Sequence, residues 1–192
     1  MKQYTGWHFT ASATEGRNGW ALQPVEELPP GTEPVLCSVG LHASRRALDA
    51  LRYAPGPFVS RVRLEGRIIV VEDDKACATR RVRLAGPVDV SRELRLFACS
   101  CADRVLPILD RERPGDTRPR EFIAVARRFA KGNATRAELD AAGAAAWDAG
   151  DAAGAAAWAA SAAWAAWAAG DAERSRQDKE LTRVLRAALE GN

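Results

Sequence analysis

Histidine is almost absent from this 192-residue chain: His8 and His42 are its whole supply of side chains that ordinarily titrate near neutral pH. Imidazole catalysis therefore has two candidates, and a metal site has little to draw on. A zinc site from His8, Cys37, His42 and Cys77 lacks the closely spaced ligand pairs that zinc normally takes. Cys99 and Cys101 stand about 200° apart around a helix, so they do not converge on one ion. No metal and no cofactor are expected. Cysteine is scarce too. Cys37, Cys77, Cys99 and Cys101 are irregularly spaced in a chain large enough to fold without staples, which fits a reducing compartment and predicts a cytoplasmic protein. Long apolar runs are missing. Met1 to Trp7 holds no leader-like run, and the alanine-rich stretch is cut by Asp148, Asp151 and several glycines, so no membrane span is expected.

Charge of one sign is not concentrated either. The net charge is +3, with basic residues in excess between 91 and 139 and acidic ones in excess between 140 and 192. Opposite signs alternate throughout, which argues against the clustered basic face of a nucleic-acid binder.

The residues that are present divide the chain near position 90. Before it, glycine and proline punctuate the sequence at short intervals, from Gly16 to Gly86-Pro87. Phe58 to Leu64 alternates Phe58, Ser60, Val62 and Leu64 with Val59, Arg61 and Arg63, which predicts a half-wet strand. Arg67–Val71 and Arg80–Leu84 read as neighbouring strands, and a further strand is expected between Pro34 and Leu41. Ser44 is placed to cap a helix from Arg45 to Tyr53 whose inner face is Ala47, Leu48 and Leu51.

From Ser91 the apolar period becomes helical. Leu94, Phe97, Cys101, Val105 and Ile108 predict one buried stripe on a helix that starts at Ser91 and stops at Pro114-Gly115. A second helix opens after Asp116-Thr117 and closes at Gly132, with Phe122, Val125, Ala126 and Phe129 inward. Thr135 and Glu138 then form a capping box, the arrangement in which each side chain satisfies the other's orphan backbone donor. A last helix, after Gly170-Asp171, carries Leu181, Val184, Leu185, Ala188 and Leu189. The predicted fold class is α+β: a small, mostly antiparallel β-sheet domain with one or two helices over 1–90, then an all-α helical bundle over 91–192.

Inside the second part, Gly143-Ala-Ala-Ala-Trp147 recurs as Gly154-Ala-Ala-Ala-Trp158, a period of eleven. Eleven residues make three helical turns with little drift, so Trp147 and Trp158 would share a face while Trp164 and Trp167 lie well round from it. Alanine fills little space, so such a helix is either enclosed on several sides or presents indoles outward. Indole is the side chain most enriched at binding hot spots, which makes Trp147, Trp158, Trp164 and Trp167 candidate partner contacts.

The run Leu96-Phe97-Ala98-Cys99-Ser100-Cys101-Ala102-Asp103-Arg104-Val105-Leu106-Pro107, then Pro114-Gly115-Asp116-Thr117-Arg118-Pro119-Arg120, then Phe129-Ala130-Lys131-Gly132 resembles immunity proteins of bacterial polymorphic-toxin systems. The resemblance spans roughly residues 94 to 170 and is most specific at the Asp-x-Arg-Pro-Arg corner. It implies an all-α module that binds and neutralises a partner toxin, of a kind also carried by phage and mobile elements. Residues 4 to 87 resemble an uncharacterised phage-associated domain, through Trp7-His8-Phe9, Cys37-Ser38-Val39-Gly40-Leu41-His42-Ala43-Ser44 and the Phe-x-x-Arg-Val-x-Leu-x-Gly strand. That resemblance implies no activity.

The function expected is a protein-binding inhibitor acting by occlusion, as a toxin-immunity protein or as a phage counter-defence factor against, for example, a CRISPR complex. The candidate contacts are the four tryptophans with Arg118 and Arg120, although that corner also has a structural reading in which Asp116 caps the helix, Pro119 starts it and Asp103 of the preceding helix pairs with an arginine across the corner. No catalytic set is expected. His8, His42 and Ser44 form a candidate ligand pocket. An alternative reading is a nucleotide-cofactor-dependent modifying enzyme: the His-bearing first strand and the Gly-Leu-His-Ala-Ser turn resemble the nicotinamide pocket of ADP-ribosyltransferases, with Glu65 or Glu72 as the acid. Alanine-lined helices also allow close backbone approach, which makes a homodimer a further expected partnership.

Overall fold

The computed structural model describes residues 4–16, 21–71, 74–147 and 170–191. The chain is α+β, with an antiparallel sheet followed by helices, and it forms two compact units: residues 1–90 with 178–192, and residues 91–177.

The first unit is built on a long hairpin of β4 (Phe58–Val71) and β5 (Lys75–Asp89). The strands expected at 58–64 and 67–71 are one. Gly66 lets β4 continue, because it takes φ +75° at a register shift where a Cβ would lie 2.2 Å from Thr79 Oγ1. β1 (Tyr4–Thr10) pairs antiparallel with β4, while β2 (Val25–Glu27) and β3 (Leu41–Ala43) both pair with β5. β1 also returns to the end of β3: the Trp7 amide donates to the Ser44 carbonyl at 2.7 Å and the Ser44 amide to Trp7 at 3.1 Å. The path β1–β4–β5–β3 thus closes on itself, removing an open strand edge. That approach needs glycine next door, because a Cβ on Gly6 would stand 2.6 Å from the Ser44 oxygen.

On one sheet face Tyr4, Ala43, Val62, Leu64, Ala76 and Ala78 pack together, with Ile68 against them. Trp7 and Phe9, which alternate with Tyr4 and His8, are buried as well, so this sheet is covered on both faces near β1. That covering overturns the half-wet reading of β4. Val59 is as completely buried as Val62, and a register shift between Val59 and Arg61 breaks the strict alternation.

Two other local expectations change. Between Pro34 and Leu41 there is no strand; Val35 and Val39 bridge each other around a tight turn in which Cys37 takes φ 65°. The helix α1 is shorter than expected (Ala47–Arg52), starts after Arg46 rather than Ser44, and has no side-chain cap from its own N-terminus. The acceptor comes from afar: Asp178 Oδ1 takes the Leu48 amide at 3.0 Å, and the Asp178 carboxylate lies 3.8 Å from Arg46.

The second unit holds α2 (Ser91–Glu112), α3 (Arg118–Ala130), α4 (Arg136–Trp147) and the first turns of α5 (Asp171–Glu190), whose remaining residues belong to the first unit. Cys99, Leu106 and Ile123 form its core with Ala102, Leu109 and Ala126 around them. The buried face of α2 is broader than the expected stripe, and it excludes Val105, which is 40% exposed. α3 packs on both α2 and α4. Gly143 faces α3, where an added Cβ would make van der Waals contact with the Phe122 ring at 3.4 Å. The capping box is as expected: Thr135 N donates to Glu138 Oε2 at 2.7 Å and Glu138 N to Thr135 Oγ1 at 3.2 Å. In α5, Leu181 and Leu185 are completely buried.

Candidate functional site

The α2–α3 corner is organised by carboxylate–guanidinium pairs. The Asp116 carboxylate accepts the Arg118 amide at 3.2 Å and its guanidinium in a two-point fork, Nε at 2.8 Å and Nη2 at 2.9 Å. Those bonds from Arg118 hold the Asp116 carboxyl below the usual carboxylate range. From α3, Arg120 binds Asp110 and Arg127 binds Asp103, both on α2, and the Asp103 bond raises the Arg127 guanidinium further. The local Pro119 in the first turn of α3 fixes the backbone that aims these arginines. Arg118 and Arg120 nonetheless remain exposed, so they brace the corner from its surface. Exposed pairs of this kind, screened by solvent, contribute little to stability.

Trp158, Trp164 and Trp167 lie outside the described residues, as does the side chain of Trp147, whose backbone ends α4.

In the first unit a polar cluster continues the apolar face of the sheet. His8 stands opposite Ser60 in register, Val62 opposite Arg83, and Leu64 opposite Arg81, so these side chains share one face. Arg81 Nε donates to Glu26 Oε2 at 2.7 Å and Arg81 Nη1 to the His42 carbonyl at 3.0 Å. Arg83 Nη1 donates to Ser60 Oγ at 2.5 Å, and its Nη2 lies 3.5 Å from the same Glu26 oxygen. Burial holds the His8 imidazole well below its ordinary value, and the charges of Arg81 and Arg83, then His42, push it the same way. Burial likewise lowers the Arg83 guanidinium.

The sequence reading missed Glu26, Ser60, Arg81 and Arg83. The only local signal was two arginines at alternate strand positions, ordinarily the mark of a wet face. Ser44, expected with the two histidines, is buried with its backbone engaged by Trp7. Glu65 accepts Arg63 at 2.6 Å and Arg80 at 2.8 Å; Glu72 lies outside the described residues. Among the described residues, no group of three or more His, Cys, Asp or Glu side chains is arranged to hold a metal ion, and no helix is long and apolar enough to cross a membrane. All four cysteines are free thiols, three of them buried.

A family model described as an Imm-5 like putative immunity protein matches residues 89–176. Neither a curated protein nor a solved structure matches the chain.

Proposed function

We propose that the chain is an immunity-type inhibitor whose helical unit binds a toxin protein and neutralises it by occlusion. The observation that carries this reading is the family match over residues 89–176, which supports it because those limits fall within two residues of the compact helical unit, 91–177. A family match over one whole packing unit supports a complete binding module rather than a fragment of one. Occlusion needs no catalytic group; it needs a rigid surface with anchors, and aromatic residues and arginine are the types that most often supply them. On this reading Arg118 and Arg120 contact the toxin, with Trp147, Trp158, Trp164 and Trp167 as further anchors. A reducing cytoplasm suits a chain with four free thiols.

The reading is tested by isothermal titration of the full chain against purified candidate toxins taken from the genes adjoining its own. Arg118→Ala with Arg120→Ala should weaken binding by about a hundredfold or more, the loss of two anchoring residues at the lower end of the hot-spot range. The thermal midpoint should move little, because exposed ion pairs contribute little to folding. Unchanged affinity in the double variant removes the corner from the interface; no binding by the unmodified chain removes the inhibitor reading.

A further inference from the structure

Among the described residues, the two arginines of the sheet-face cluster pair with a single carboxylate. Arg81 and Arg83 each keep only 7% of their side-chain surface exposed, and one carboxylate, Glu26, serves both. Glu26 is satisfied mainly by Arg81, at 2.7 Å. Arg83 Nη2 is sealed from solvent and makes no hydrogen bond among the described residues, its approach to Glu26 being the 3.5 Å ion pair. His8 Nδ1, on the same face, is likewise sealed and has no hydrogen-bond partner among the described residues. A buried guanidinium whose charge is half-matched and whose donor is idle is costly, and proteins tolerate such a group where a ligand completes it.

We propose that Arg83, Arg81, His8 and Ser60 form a binding site for the phosphate group of a small ligand. Phosphate brings what the cluster lacks: negative charge and several acceptor oxygens. Arg83 donates to it through Nη2 while Ser60 steadies the guanidinium through Nη1, and His8 donates from Nδ1 in the tautomer that places the proton there. Glu26 competes with the ligand for both arginines and so sets the affinity. Glu26 and His8 are only partly buried and border the cluster, whereas both guanidiniums are nearly enclosed. The site lies wholly within the first unit and does not depend on what the helices bind.

The test uses the full chain and inorganic phosphate, read by calorimetry and by line-broadening in ³¹P spectra. Saturable binding is expected for the unmodified chain, weakened about tenfold or more in Arg83→Gln, the worth of one charge-assisted hydrogen bond. Ser60→Ala, which keeps both guanidiniums, should weaken it several-fold, and this covers the case in which Arg83→Gln fails to fold. Glu26→Gln should bind phosphate more tightly, a gain that misfolding does not produce. Absence of saturable binding in both the unmodified chain and Glu26→Gln overturns the proposal. So does a loss of affinity in Glu26→Gln, which would make the three charged groups a structural network. Acetate should bind more weakly than phosphate; equal or tighter binding of acetate overturns the phosphate assignment.

Discussion

Asp178 reaches across 130 positions of sequence to cap α1, and removing it gives a sharp test of how the C-terminal helix supports the sheet unit. α1 is only six residues long and has no side-chain cap of its own, so the Leu48 amide depends on Asp178 Oδ1 at 3.0 Å. Loss of an N-cap acceptor costs ~1 kcal/mol. The Arg46 pair, at 3.8 Å with Arg46 41% exposed, adds only about 0.2–0.5 kcal/mol. Against this, Asp178 helps to raise the Asp49 carboxyl, after the larger effect of burial, so its removal relieves some repulsion. Asp178→Ala should therefore destabilise the sheet unit by about 1 kcal/mol, roughly a fivefold change in the folding constant. With a urea slope of about 2 kcal/mol per molar, the midpoint falls by about 0.5 M. Asp178→Asn keeps the acceptor oxygen and should recover most of the loss, because asparagine caps as well as aspartate. Hydrogen exchange at the Leu48 amide should quicken in the alanine variant and not in the asparagine one. An unmoved midpoint with unchanged Leu48 exchange, or an asparagine variant as weak as the alanine one, would refute the remote-cap argument.

Other perturbations have equally definite outcomes. Leu185→Ala empties a completely buried site and should cost about 2–5 kcal/mol by chemical denaturation; a loss below 1 kcal/mol would mean that the helix is not part of the core. Gly6→Ala drives a methyl to 2.6 Å from the Ser44 oxygen, and should cost about 1–3 kcal/mol while speeding amide exchange at Trp7 and Ser44. His8 gives a pH signature. Its native-state pKa is depressed, so below about pH 6.5 the unfolded chain takes a proton that the native chain refuses. Its stabilising contribution is complete above that value and is lost as pH falls, by up to about 1.4 kcal/mol per unit, until the native pKa is reached. Urea midpoints measured from pH 7 to 5 should show a shallower decline in His8→Gln than in the unmodified chain; parallel curves would contradict the assignment.

What could be read from sequence was what local chemistry decides. Thr135 and Glu138 are three residues apart and satisfy each other, so the start of α4 was legible without any tertiary knowledge. The period of Leu181 and Leu185 likewise announced the buried face of α5. The errors fall where a distant partner outbids a local one. Ser44 is a good helix cap by type, yet its backbone is taken by Trp7 and the cap comes from Asp178. Val59 obeys the alternation of a half-wet strand, yet a register shift and a second covered face bury it. The polar cluster was illegible for the same reason: Arg81 is sequestered by Glu26, 55 positions away, and nothing in the alternating arginines marks them as buried. At the α2–α3 corner, by contrast, the expected pairing of Asp103 with an arginine of the next helix is made by Arg127.

On the proposed function, the helical unit neutralises a toxin by binding it. Growth of cells expressing that toxin, with and without the full chain, measures this most directly. Growth should be restored by the unmodified chain, with a stable complex recovered from the same cells, and rescue should be lost with Arg118→Ala and Arg120→Ala while the variant protein remains folded. Undiminished killing in the presence of folded, abundant chain would contradict it.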